Sequence, residues 1–202
     1  MTIKSIFLLL ACSPFLFSCT KSITIHVNPD GSAQVQYLLK YDNLGKADSA
    51  VSRDEQRKKR DTTFYFYKKA FSSSEISDFD CRVSRKLNPR VRFRIAHLDS
   101  VARFLDLESD SVEYFIFTKP HQVILDAGMG DTAKVGSNDS KEDLDFLEAM
   151  RFDLTLYTPE KIKKVTNESG LPVKVSGRKF YIKTTRSRIA HSGKRNRIIL
   201  EY

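Results

Sequence analysis

Apolar and polar residues alternate along much of this chain. In SITIHV, Ile23, Ile25 and Val27 share one parity, and Val35, Tyr37, Leu39 and Tyr41 repeat it in SAQVQYLLKY. A period of two places each set on one face of a strand. The intervening NPDG supplies turn chemistry, so residues 22–41 are expected as a β-hairpin. Residues 42–61 are polar and charged, end in RDEQRKKRD, and read as a loop or a frayed helix, with TTFYFY as the next strand. FDCRVSRKL and RVRFRIA flank Asn88 and Pro89 and predict a second hairpin. The spacing changes at LDSVARFL, where Val101, Phe104 and Leu105 share a helical face and Asp99 or Ser100 is available as N-cap.

Strands are expected again at SVEYFIF and HQVILD. Residues 127–140, AGMGDTAKVGSNDS, hold no bulky apolar residue beyond Met129 and Val135 and predict a flexible loop. Ser140 and Asp143 resemble a capping box that opens a short helix through Met150. RFDLTLY, KFYIKT and NRIILEY read as strands, and Gly170 and Gly177 bracket another extended piece, while TPEKIKKVTN is open between a helical turn and a strand. Helical segments are too few to cross over between parallel strands. The predicted class is therefore α+β: a mostly antiparallel β-sheet with two or three short helices, in a single domain over residues 23–202.

The N-terminus carries a different pattern. Lys4 precedes an almost wholly apolar run over residues 5–17, and the chain turns polar at Thr20, Lys21 and Ser22. This is the pattern of a secretory signal. The run is shorter than the roughly 20 residues a bilayer span needs, and Pro14 interrupts it. LFSC, ending at Cys19, resembles the lipobox of bacterial lipoproteins, in which the cysteine is acylated and becomes the mature N-terminus. LLAC, ending at Cys12, also resembles it, but leaves too few apolar residues upstream for the signal core of about 7 to 15. Residues 1–18 are thus expected as a lipoprotein signal peptide, Cys19 as the lipidation site and residues 19–22 as a lipid-anchored tether. The alternative is an ordinary signal peptide in which Cys19 is incidental. Three extended residues span about 3.3 to 3.6 Å each, which would hold the domain within roughly 10 Å of the headgroups.

With Cys12 removed and Cys19 acylated, Cys81 is the one thiol left, and a single thiol closes no internal disulfide. In FDCRV it is expected as a small, buried apolar residue.

Charge adds a second candidate feature. The chain carries a formal +9, and its charges are segregated. Residues 82–94 hold six cations and residues 178–197 eight, neither with an acid, whereas acids concentrate between Asp99 and Glu148. Strand parity puts Arg90, Arg92 and Arg94 on one face with Val91, Phe93 and Ile95 on the other, and Lys179, Tyr181 and Lys183 likewise oppose Phe180 and Ile182. Guanidinium forks bind phosphate oxygens bidentately. These cations are either a solvated outer face balanced by the acidic segment or a binding surface for an anionic partner. The candidate residues are Arg90, Arg92, Arg94, Lys179, Lys183, Arg186 and Arg188. Nucleic acid is not an expected partner, because no stacked-aromatic module accompanies the charge.

Catalytic patterns are missing from the sequence. His26, His97, His121 and His191 are scattered with no zinc-type spacing, and neither a phosphate loop nor a serine elbow occurs. Asp143, Asp145 and Glu148 read as a solvated acidic face. No enzyme, cofactor or metal site is expected.

Three stretches then carry a family resemblance. ITIHVNPDGSAQVQY close behind Cys19, RFRIAHLDSVARFL in mid-chain, and TPEKIKKVTN with VSGRKFYIKT together resemble LppM-type envelope lipoproteins and the uncharacterised small lipoproteins common in Bacteroidetes. The resemblance implies a single lipid-tethered α+β domain, with an anionic glycolipid or phospholipid headgroup as ligand and no catalytic residues. The glycine-rich insertion at 127–140 and the basic tail depart from that pattern. The expected protein is a non-enzymatic lipoprotein of the bacterial cell envelope, anchored in the outer membrane and facing the periplasm. It either binds anionic lipid or glycolipid headgroups or serves as a structural subunit docking on an envelope protein partner.

Overall fold

A computed structural model describes residues 19–41, 52–101, 115–129, 148–190 and 192–202. The expected signal peptide, and most of the helices expected after Ser100 and Ser140, lie outside these residues. The first hairpin forms as expected, with β1 (Cys19–Val27) antiparallel to β2 (Ala33–Tyr41) and Ile25 opposite Val35. Its turn is tied by the Asp30 carboxylate, which accepts from the Ser32 amide at 3.0 Å and the Ser32 hydroxyl at 2.6 Å, while Gly31 takes the left-handed φ of 81°.

Two expectations about this region are corrected. β1 begins at Cys19, which pairs with Tyr41, so residues 19–22 are part of the strand and form no separate tether. Both neighbouring strands offer them backbone partners, and an unsatisfied amide beside two open ladders would cost more than extension does. Next, TTFYFY forms no strand but the second half of helix α1 (Arg53–Ala70). Ser52 caps it by accepting from the Glu55 amide at 3.3 Å, Asp54 and Glu55 occupy the first turn, and Lys68 and Lys69 the last, as the helix dipole favours. Alternation would put Tyr65 and Tyr67 on one face. The helix separates them: Tyr65 is 65% exposed and Tyr67 only 3%. The β-branched Thr62 and Thr63 fit because each hydroxyl donates to the carbonyl four residues back, both at 2.9 Å.

The second hairpin pairs β3 (Ile76–Val83) with β4 (Pro89–Ile95), a bulge interrupting the ladder between Ser77 and Asp80. Leu98–Ser100 form a single 3-10 turn, entered through His97 without a side-chain cap. Asp99 caps nothing there. Its carboxylate instead accepts from the amide and hydroxyl of Thr118, at 2.8 and 3.0 Å.

β5 (Phe115–Lys119) and β6 (Gln122–Met129) form a further hairpin, so residues 127–129 of the expected loop belong to a strand; the rest of it lies outside the described residues. The strands continue with β7 (Met150–Tyr157), β8 (Lys164–Asn167), β9 (Val173–Ser176), β10 (Lys179–Thr185) and β11 (Arg195–Glu201). The second half of TPEKIKKVTN thereby resolves as strand. A short helix, α2 (Arg186–Ala190), follows β10, where the sequence pattern predicts none.

Seven strands form one sheet in the order β3-β4-β2-β1-β7-β10-β9, and four form another in the order β5-β6-β11-β8. Among the described residues, β1 and β7 alone pair in parallel, and the α+β class stands. The inner faces meet in one core that joins Ile25, Leu39, Phe93, Leu156 and Phe180 of the large sheet to Leu125, Ile198 and Leu200 of the small one. α1 covers the β3-β4-β2 end of the large sheet's inner face: Phe71 lies 5.0 Å from Phe93 and Tyr67 lies 6.1 Å from Tyr37, centroid to centroid. Each such buried aromatic contributes on the order of 1.5 to 3 kcal/mol over its exposed state. Cys81 is half-buried against this core, not fully enclosed.

Candidate functional site

The outer face of the seven-stranded sheet follows from the same alternation. β4 alternates without a fault, with Arg90, Arg92 and Arg94 exposed and Val91, Phe93 and Ile95 buried. Register carries the outer parity across the sheet: Arg92 is opposite Gln36, Gln36 opposite Thr24, Thr24 opposite Thr155, Thr155 opposite Tyr181 and Tyr181 opposite Lys174. One rung over, the row runs Arg94, Gln34, His26, Tyr157, Lys179. The arginines of β4 and the lysines of β10 therefore share one face, as strand parity predicts.

They do not share one spot. β4 and β10 are four strand spacings apart, about 19 Å at 4.8 Å each. At the arginine end, Gln36 Oε1 accepts from Arg90 Nη2 at 2.9 Å and from Arg92 Nε at 3.0 Å, which aligns two guanidiniums side by side. Arg94 is held differently, with Nη2 donating to Ser32 Oγ at 3.4 Å and lying 3.9 Å from the Asp30 carboxylate. The Ser32 hydroxyl and amide, with Arg94 nearby, hold the Asp30 carboxyl below its ordinary range, so it stays anionic and offsets part of the Arg94 charge. Asp80 lies opposite Arg92 and is also 3.3 Å from Arg82.

The β10 end is aromatic as well as basic. The His26 and Tyr157 rings stack at 4.3 Å with 5° between planes. Lys179 Nζ sits 5.8 Å from the Tyr157 ring and 6.0 Å from the Tyr181 ring, and Lys183 Nζ also lies 6.0 Å from the Tyr181 ring. Desolvation and the nearby Arg178 lower the His26 pKa, so the imidazole is neutral in this stack at pH 7. The Tyr181 hydroxyl and then Asp153 raise the Lys183 pKa, which keeps its ammonium charged.

Arg186 and Arg188 do not belong to this face. They sit on α2, past Thr185, at the end of the sheet where β1 begins. Sequence reasoning missed the Gln36 bridge, the His26–Tyr157 stack and Lys174. The alternation of β2 and β7 carried a signal for Gln36 and Tyr157, but which strand lies beside which was not written in it.

Between the sheets is a cavity of about 40 Å³ lined mainly by aliphatic side chains, including Ile23, Leu125, Leu154 and Ile198. Beside it the Asp126 carboxylate pairs with Arg195 at 2.7 Å. A space of that size admits about one water. Among the described residues, no three His, Cys, Asp or Glu side chains gather as a metal site, and no helix is long and apolar enough to cross a membrane.

The described elements thus define a two-sheet α+β domain with a polar, cation-bearing outer sheet face. Its fold is similar to that of the LppM folded domain from Mycobacterium tuberculosis. The NMR structure of that domain aligns with a TM-score of 0.50 at 10% sequence identity, covering 92% of this chain and 90% of that one. No protein-family model matches the chain, and neither does any curated protein.

Proposed function

We propose that this protein is a non-enzymatic lipoprotein of the bacterial cell envelope. It is acylated on Cys19, anchored in the outer membrane facing the periplasm, and binds anionic lipid or glycolipid headgroups on the outer face of its large sheet. The observation that carries the binding reading is the Gln36-bridged pair Arg90 and Arg92, two aligned, exposed guanidiniums on the outer sheet face. A phosphate seated there would meet two forks already held in place, which lowers the side-chain entropy lost on binding. The ring stack at the β10 end offers a flat surface for a sugar beside the charge of Lys179. The LppM-like fold supports the envelope-lipoprotein reading by analogy of fold.

The test is sedimentation of a chain starting at residue 19 and carrying Cys19→Ser with vesicles of phosphatidylglycerol or of phosphatidylcholine alone. Binding to the anionic vesicles that fades between low and high salt supports the reading. Equal binding to both vesicles, or to neither, sinks it. The second reading, a structural subunit of an envelope assembly, draws on β9. This four-residue strand ends the large sheet and exposes Val175 to 43% beside its open edge, a place for strand addition by a partner.

A further inference from the structure

The reading of Cys19 as an acyl anchor, combined with the strand that begins at Cys19, specifies which part of the domain meets the bilayer. With no slack residues between anchor and sheet, the strands start at the membrane and run away from it. Register then converts to height. Lys40 and Arg151 are opposite Thr20, one residue from the anchor. Arg90 and Lys183 share the level of Ser22, at about 10 Å, whereas Arg94 and Lys179 share the level of His26, at about 23 Å. The last figure is well beyond the roughly 8 Å over which salt leaves a surface field intact.

α1 points the same way. Its ring contacts move from Tyr37 at Tyr67 to Phe93 at Phe71, and Phe93 is opposite Val35, so the helix runs toward the turn at Asp30 and its N-terminal half runs back toward Cys19. From Tyr67 back to Arg57 is about 15 Å of helix. This matches the roughly 13 Å from Tyr37 to Tyr41, the partner of Cys19. Residues 57–60, Arg57, Lys58, Lys59 and Arg60, are four consecutive cations, with Asp54, Glu55 and Asp61 beside them and Lys59 3.9 Å from Glu55, and they lie toward the Cys19 end on the β3–β4 side of the sheet. α2 brings Arg186 and Arg188 to the same end.

We infer that the Cys19 end of the domain docks on anionic phospholipid headgroups through the N-terminal half of α1, Lys40, Arg151 and α2. The large sheet then stands upright instead of lying on the membrane, so its outer face is open to a headgroup that extends from the bilayer or is carried free of it. This inference rests on Cys19 acylation and on charge matching a phosphate surface within reach.

The test uses the native, unmutated protein, reconstituted in vesicles of phosphatidylglycerol and phosphatidylethanolamine or held in a neutral detergent. Each sample is pulsed with a water-soluble acetylating reagent, and each lysine is read by peptide mass spectrometry. Lys58 and Lys40 are expected to react about fivefold more slowly in vesicles, with Lys179 unchanged and Lys58 recovering in high salt. Equal Lys58 rates in the two samples overturn the inference. Slowing of both Lys179 and Lys183 with Lys58 unaffected also overturns it, since the sheet then lies flat, yet leaves headgroup binding by that face standing. An unmodified Cys19 peptide from a protein that stays soluble removes the anchor, and the inference falls with it.

Discussion

Arg92 stands directly opposite Gln36 in the β2–β4 ladder, and its Nε donates to Gln36 Oε1 over 3.0 Å. Because the same oxygen also accepts from Arg90, one neutral amide sets the geometry of two charges. Gln36→Ala is expected to weaken binding to phosphatidylglycerol vesicles by about threefold, in line with the loss of an exposed hydrogen bond. Thermal stability should stay nearly constant. Arg90→Ala with Arg92→Ala should weaken the salt-sensitive part of binding without removing it, because the cations at the Cys19 end remain, measured by sedimentation across a salt series.

Phe93 is the hinge of the α1 contact, 1% exposed and packed on Phe71. Phe93→Ala should cost about 3 to 5 kcal/mol in urea unfolding. The exposed Tyr65→Ala on the same helix should cost little, within about 0.5 kcal/mol. Equal losses would mean that the helix does not present these two faces as described.

Asp30 makes the fold acid-sensitive in a defined direction. Its folded pKa lies below the ordinary 3.8, chiefly through the Ser32 hydroxyl. A carboxyl depressed in the folded state stabilises above the unfolded value and loses that contribution as pH falls through the folded one. Asp30→Asn should therefore lower stability at pH 7 and flatten the decline of Tm below about pH 4.

Cys81 behaves in the opposite sense. Burial, with Asp80 adding to it, pushes its thiol up to about 11 from 9.0. Its contribution is thus intact below pH 9 and falls as the pH rises from 9 toward 11. At pH 8 the thiolate fraction, and with it the alkylation rate at Cys81, should be about a hundredfold lower in the folded protein than in denaturant. Peptide mapping after iodoacetamide measures this directly, and similar rates in both states would contradict the burial.

The strands were legible where one face is dry and the other wet, because that contrast prints a period of two. β4 is the clearest instance, and its three outward arginines were correctly placed from parity alone. TTFYFY misled because four aromatics and two β-branched residues suit a strand locally. Docking of Tyr67 and Phe71 on Tyr37 and Phe93, residues distant in sequence, decides for the helix. Likewise, Lys179 and Arg92 were grouped by charge, but the strand order sets them four strands apart.

The amino-acid sequence by itself determined the local elements: the NPDG turn, the outward parity of Arg90, Arg92 and Arg94, and the segregation of cations from acids. These depend on chemistry within a few residues. Tertiary structure alone decided the neighbours, namely the parallel β1–β7 pair, the capture of Cys19–Ser22 as strand, the Gln36 bridge, and the reach of α1 back to the Cys19 end. Each of these requires two distant segments to bury their apolar faces together, and no single segment encodes the partner it will meet.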